Sequence, residues 1–283
     1  MTTSITTNLS LQAGSSLRWD TRGRHWWWSG QEASAVYAYC PVKKTTHTCR
    51  LPDSAGLLAH TRSGRLLLGL PKRLCLVDAS VGLSAGNASR AVRMQPLSAV
   101  DAAEPRTSIS DGCTDRRGYL VFGTRNAGPD RRPIGSFYQY SRQYGLRRLA
   151  LPVVAQASSI CFNADGTRMY FADGRHGRIM RCDYDAELAR VTNIALFAEL
   201  DGGALPRGAA LDATGCLWSA QPRQLVQYDE HGKALRRIAI DCGAPAFGGA
   251  QLEQLVVAGA GGLIALPVPL AAGLAETPFD DQD

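Results

Sequence analysis

A short turn ending in glycine recurs along this chain, each time ahead of a β-rich run, and that recurrence limits the fold more than any other feature. Asp20, Thr21, Arg22 and Gly23 precede Trp26, Trp27 and Trp28. Thr61 to Gly64 precede Leu66, Leu67 and Leu68, and Asp115 to Gly118 precede the run 119–122. Asn163 to Gly166 precede Met169, Tyr170 and Phe171, and Asp212 to Gly215 precede Cys216, Leu217 and Trp218. A degenerate sixth copy, 247–250, precedes Leu255, Val256 and Val257. A second strand-like run follows each copy, at 35–40, 73–78, 136–140, 178–184, 224–229 and 262–266. In Asp-x-x-Gly the acid caps a tight turn and glycine takes the position with positive φ. The unit of turn, strand, turn, strand returns every ~40–50 residues, the period of a propeller blade. No copy has the 3.6-residue apolar period of a helical solenoid. The fold class expected is therefore all-β: one six-bladed β-propeller over residues 1–283, with four strands per blade. One blade is expected to be shared between the two chain ends, because closure removes free sheet edges. Residues 1–10 are expected to be flexible and 272–283 to form a tail.

Composition narrows the function classes. The 283 residues carry a formal charge of +6, almost all of the basic groups being arginine. Those arginines are scattered, often beside turns, as at Arg22, Arg24, Arg62, Arg116 and Arg117. Scattered charge is not a nucleic-acid footprint, so no nucleic-acid partner is expected. No apolar run reaches the ~20 residues that span a bilayer, so no membrane partner is expected. Residues 1–10 do not read as a signal peptide, and a cytoplasmic location is expected. Eight cysteines occur without any C-x-x-C pair. Cys40, Cys75, Cys161, Cys182 and Cys216 sit in apolar or strand-like runs, which suits buried reduced thiols. Asn87, Ala88 and Ser89 form a glycosylation triplet, read as chance without a secretory signal.

Blades pack radially and their inner strands line a channel. The segments just upstream of the turns are therefore where chemistry is expected. Those segments resemble the regucalcin/gluconolactonase/luciferin-regenerating family over nearly the whole chain. Residues 157–173, ASSICFNADGTRMYFAD, are similar to its NGLAFSPDGRTLYFAD stretch. Residues 206–218, PRGAALDATGCLW, are similar to PDGAAVDAEGCLW. Residues 109–115 with Phe122, Gly123 and Thr124 are similar to RxNDGxxD…FGT. The resemblance implies a propeller related to bacterial sugar lactonases. It also implies a divalent cation, Ca or Zn in relatives, held by a first-blade Glu, the Asn of NGLAF and the Asp of PDGAA. Such an ion polarises a lactone carbonyl and activates water. The Arg and Asn of RxNDG would bind the sugar.

Carried over residue by residue, that site is absent. The ligand positions fall on Ser15, Ser158 and Arg207, and the sugar-binding positions on Ser108 and Ser110. Asp111 and Gly112 are retained. Serine hydroxyls without a carboxylate are weak ligands for a hard cation. A guanidinium about 4 Å from an ion repels each unit of its charge by roughly 4 kcal/mol at an effective dielectric near 20. No metal and no cofactor are expected. Arg207 is expected to lack a carboxylate partner and to face an anion or water. It could steady an oxyanion but cannot act as a base. Asp111, Asp173, Glu104 and His176 are the candidates by position to act as acid or base, Asp111 and Asp173 foremost; the structural reading of each is Asp111 in a turn, Asp173 at a strand end, and Glu104 and His176 on solvated loops. Ser158, Ser159, Cys161 and Cys113 have no histidine at a suggestive spacing, so Cys161 is read as a core thiol and no catalytic residue is assigned. Trp26, Trp27 and Trp28 are read as core rather than as a stacking platform.

The function expected first is a pseudoenzyme or binding protein for a small polar or anionic metabolite such as a sugar acid. The alternative is an active or repurposed hydrolase opening a glucono- or arabinono-lactone without the usual metal. Oligomeric state has no sequence signal.

Overall fold

A computed structural model of the chain describes residues 3–4, 16–30, 34–78, 92–259, 262–267 and 272–282. They form six four-stranded antiparallel sheets. β1 (Thr3–Ser4) is set apart from the strands that follow it in sequence. The first blade is β2 (Arg18–Asp20), β3 (His25–Gly30), β4 (Ala35–Cys40) and β5 (Thr45–Arg50). The second is β6 (Leu57–His60), β7 (Leu66–Leu70), β8 (Arg73–Val77) and β9 (Met94–Ala99). The third is β10 (Thr107–Thr114), β11 (Leu120–Asn126), β12 (Phe137–Ser141) and β13 (Gly145–Arg148). The fourth is β14 (Ala157–Phe162), β15 (Arg168–Asp173), β16 (Arg178–Asp185) and β17 (Arg190–Glu199). The fifth is β18 (Ala209–Leu211), β19 (Leu217–Gln221), β20 (Gln224–Tyr228) and β21 (Ala234–Ala239). The sixth holds β22 (Cys242–Gly248), β23 (Gln254–Gly259) and β24 (Gly262–Leu266), and β1 pairs with β24 as its outer strand. The chain is thus a six-bladed β-propeller closed by its two ends. A single 3₁₀ turn, Asp201–Gly203, is the one helical element among the described residues. None of these residues forms a helix long and apolar enough to cross a membrane.

The turns that marked the repeat behave as their residues require. Gly64, Gly118, Gly166 and Gly215 all have φ between +75° and +86°. In the first copy the positive φ falls on Arg24 instead, at 53°. Asp212 caps its turn by accepting from the Thr214 and Cys216 amides at 3.0 Å, and it also takes the Trp218 indole N–H at 2.9 Å. Asp115 does likewise for the Arg117 and Tyr119 amides, both at 2.9 Å.

Each pair of neighbouring blades shares one buried cluster. Trp27, Val36, Leu58 and Leu68 join the first blade to the second, and Phe137, Ala157 and Phe171 join the third to the fourth. Trp218, Leu225, Leu255 and Val257 join the fifth to the sixth. Trp26 and Trp28 pack with Trp19 and Val256 between the sixth blade and the first, so all three tryptophans of the run are core. All eight cysteines are free; Cys40, Cys75, Cys161 and Cys182 are buried as expected, whereas Cys216 is only partly buried.

Residues 272–282 are not a loose tail. Phe279 is fully buried, its ring 6.0 Å from that of Tyr140, and its backbone bridges Thr61 in parallel. Asp281 is buried against Ser63 and Arg65. The Ala275 carbonyl accepts from Arg116 at 2.7 Å, and the Ala272 carbonyl from the Ala213 amide at 2.8 Å. The segment straps the fifth, third and second blades together because its side chains and carbonyls satisfy groups on all three. Of residues 1–10, Thr3 and Ser4 are strand; the others lie outside the described residues, as do Ser15 and the triplet at 87–89.

Candidate functional site at the channel mouth

A cavity of about 250 Å³ opens at one end of the channel, lined among others by Ser16, Ser110, Asp111, Ser158, Arg175 and Arg207. Three inner strands lose their regular register there. β10 is irregular between Ile109 and Asp111, β14 between Ser158 and Cys161, and β22 between Cys242 and Pro245. A bulge bends a strand and re-aims its side chains. Ser110 Oγ donates to the Ala157 carbonyl of the next blade at 2.8 Å, and Ser158 Oγ to the Pro206 carbonyl at 3.2 Å. Ser16 Oγ accepts from the Leu58 amide at 2.9 Å. Ser16 and Ser159 hold left-handed backbones, φ 61° and 60°, a conformation costly for a residue with a Cβ.

Asp111 is the carboxylate of this cavity. Its oxygens accept from the Gly112 amide at 2.8 Å and the Ile160 amide at 3.3 Å. Burial raises its pKa, and the Arg18 charge and the backbone amides only partly offset that. Arg18 lies buried in the channel. It donates to the Leu17 carbonyl at 3.0 Å and the Gly112 carbonyl at 2.7 Å, with Nε 3.3 Å from Glu276. Burial opposes its charge, but Glu276, then Cys113 and Asp111, hold its pKa above the arginine value. Arg18, Cys113, Cys161 and Glu276 line a second, smaller cavity of about 80 Å³. Burial, reinforced by Asp111, pushes the Cys161 thiol up to about 12, and burial raises Cys113 as well. Neither is a thiolate near neutral pH, so neither is an activated nucleophile. Cys161 therefore faces a small cavity as well as the core.

The remaining residues singled out from sequence fall into two groups. Ser110, Asp111, Ser158 and Arg207 meet at the mouth. Arg207, however, has a carboxylate partner: Nη1 lies 2.6 Å from Asp241 Oδ1, with the two side chains 34% and 67% exposed. The loop after β21 places Asp241 there, which distance in sequence had hidden. Ser108 and Asp173 are not among the residues lining the cavity. Ser108 is buried on β10 opposite Arg125. Asp173 accepts from the Ala155, Gln156 and Arg175 amides and contacts the His176 ring at 2.9 Å, so it builds the loop rather than facing the cavity. Glu104 sits in an exposed pair with Arg106, whose hydrogen bonds hold it down to about 2. Sequence reasoning missed Ser16, Arg18 and Arg175. Arg18 had a signal: strand alternation puts it opposite the core residues Leu17 and Trp19, toward the channel.

The side chains of the described lining residues offer one carboxylate, the Gln156 amide, three hydroxyls already engaged with backbone groups, and guanidinium groups. That donor set does not suit a hard divalent cation, which takes several oxygen ligands including carboxylates.

Fold and mouth together define a six-bladed propeller with a polar site at one end of its channel. The chain belongs to the SMP-30/Gluconolactonase/LRE-like family, whose pattern matches residues 13–261. It is 32% identical over 238 residues to an L-arabinolactonase of Azospirillum brasilense, covering 82% of this chain and 75% of that protein. It is 25% identical over 246 residues to a 6-deoxy-6-sulfogluconolactonase of Pseudomonas putida, covering 84% and 80%. In fold it is similar to the calcium-binding protein regucalcin of Agrobacterium tumefaciens, with TM-score 0.85, 21% identity and coverage of 97% and 95%.

Proposed function

We propose that this chain is a lactonase-family propeller that binds a small sugar acid, or its lactone, at the channel mouth without the divalent ion of its relatives. One observation carries the reading: hydroxyls, a single half-buried carboxylate and arginines stand where a hard cation needs several anionic oxygens. Hydroxyls and guanidinium groups suit a polyol bearing an anionic end. Names borne by relatives, an L-arabinolactonase and a sulfogluconolactonase, point to the same ligand class. A second reading is a metal-independent lactone hydrolase. The 32% identity to the arabinolactonase favours it, as does a half-buried Asp111 with a raised pKa, a suitable acid or base.

Metal analysis, calorimetry and a lactone panel on the purified protein separate these readings. The first expects no stoichiometric Ca²⁺ or Zn²⁺, binding of an aldonate, and lactone opening at the uncatalysed rate. Turnover that resists chelators and is lost in Asp111→Asn would establish the second reading instead. Turnover lost to a chelator, or a Ca²⁺-dependent rise in Tm absent from Ser158 and Arg207 variants, would overturn both. The combined change Ser15→Glu, Ser158→Asn, Arg207→Asp is expected to create divalent-ion binding, since it adds two carboxylates and an amide oxygen.

A further inference from the structure

Asp241 neutralises Arg207, so the positive charge available to a ligand lies elsewhere on the mouth. Arg125, near the end of β11, is half-buried, yet none of the described residues gives its side chain a carboxylate partner. Its backbone bridges Gln156, which lines the mouth cavity beside Arg175. The cross-strand neighbour of Arg125 on β10 is Ser108, small and buried. Burial lowers the Arg125 pKa, and the charge of Arg175 lowers it further. The surrounding acids are committed. Glu104 pairs with Arg106 at 2.9 Å, and Asp130 holds Asn126 at 2.7 Å. Asp101 takes the Tyr138 hydroxyl and the Thr124 hydroxyl. Asp173 is occupied by three amides and His176. Gln156 joins the two arginines through the backbone: it bridges Arg125, and its carbonyl accepts from the Gly174 amide at 2.7 Å, next to Arg175. A half-buried and an exposed guanidinium flanking one segment, with no carboxylate between them among the described residues, form an arrangement that an anion would stabilise.

We infer that Arg125 and Arg175 form an oxyanion subsite on the rim of the mouth cavity, between the third and fourth blades, and that it takes the carboxylate or phosphate end of the ligand. Planar guanidinium forks match such groups through paired hydrogen bonds. The polyol part then lies over Ser110, Asp111 and Ser158. This inference rests on the proposed sugar-acid reading for its ligand, but the subsite itself is open to a simpler probe.

The test uses inorganic phosphate, D-gluconate and neutral D-glucitol on the full chain at constant ionic strength. Calorimetry and thermal shift are read for the unchanged protein, Arg125→Gln, Arg175→Gln, the double variant and Arg178→Gln. Arg178 pairs with Glu199 at 3.3 Å on the outer part of the fourth blade and serves as the control. Phosphate and gluconate are expected to bind and to raise Tm. Each rim variant should weaken both about tenfold, the double variant should abolish the phosphate effect, and Arg178→Gln should change neither. Glucitol should bind weakly and equally throughout. Gluconate binding that survives the double variant would overturn the subsite and leave the proposed function standing. Phosphate binding lost in the rim variants, with no gluconate binding, would support the subsite and overturn the sugar-acid reading. No binding of either anion to the unchanged protein overturns both.

Discussion

The Asp115 carboxylate is fully buried, yet it is saturated: two turn amides and the Tyr184 hydroxyl, at 2.7 Å from the fourth blade, all donate to it. The same residue closes a turn and ties two blades. Asp115→Ala would leave those donors unsatisfied, and removing a buried partner costs about 1–3 kcal/mol per orphaned group. A clear drop in Tm is expected for Asp115→Ala and a smaller one for Asp229→Ala, whose turn is partly exposed. Equal shifts would remove the inter-blade role. The first position of the Asp-x-x-Gly repeat was legible in sequence because turn chemistry is local. The partner Tyr184 was not, since it lies 69 residues away.

Among elements, the inner and middle strands announce themselves through apolar runs, as in β7, buried at every residue. The outer strands do not: β21 alternates half-buried and exposed residues, and most of β17 is exposed. An outer strand has one neighbour and water on its far side, so its sequence stays polar. The C-terminal strap is the element the sequence misrepresented, because residues 272–282 have neither a turn motif nor a strand period. Phe279→Ala should cost about 3–5 kcal/mol, as for truncation of a buried aromatic, measured by denaturant unfolding. Asp281 gives the strap a pH dependence. Burial alone would raise its pKa, but hydrogen bonds from Ser63 and Arg65 hold it below 3.8. Its contribution is therefore complete above that value and disappears as pH falls through the folded pKa. Thermal scans between about pH 5 and pH 2 should show a loss of stability that is smaller in Asp281→Asn. Identical pH profiles would exclude this role.

For the whole molecule, every blade shares a buried cluster with both neighbours, so no blade holds an independent core. Unfolding in a single transition is expected. Closure depends on β1, whose Thr3 and Ser4 pair with Ala265 and Ile264. Deleting residues 1–5 should lower Tm and promote self-association measurable by light scattering, because it exposes the edge of β24. An unchanged Tm and a monodisperse deletion variant would show that the ring does not need that strand.

Blade number, strand alternation and the aspartate-capped turns were determined by the sequence alone, because each depends on residues a few positions apart and the pattern recurs along the chain. That the segments carrying Ser110, Asp111, Ser158 and Arg207 face the channel followed from the same repeat, while those particular positions were singled out by the family resemblance. Only the tertiary structure decided what surrounds them. The irregular stretches of β10 and β14 turn Ser110 and Ser158 toward carbonyls of neighbouring blades, Asp241 came from another loop to neutralise Arg207, and Arg18 was enclosed with Glu276. Those contacts join residues between 34 and 258 positions apart, as Arg207 with Asp241 and Arg18 with Glu276 show. No local preference encodes them, since their energy arises only when ring closure brings the blades together.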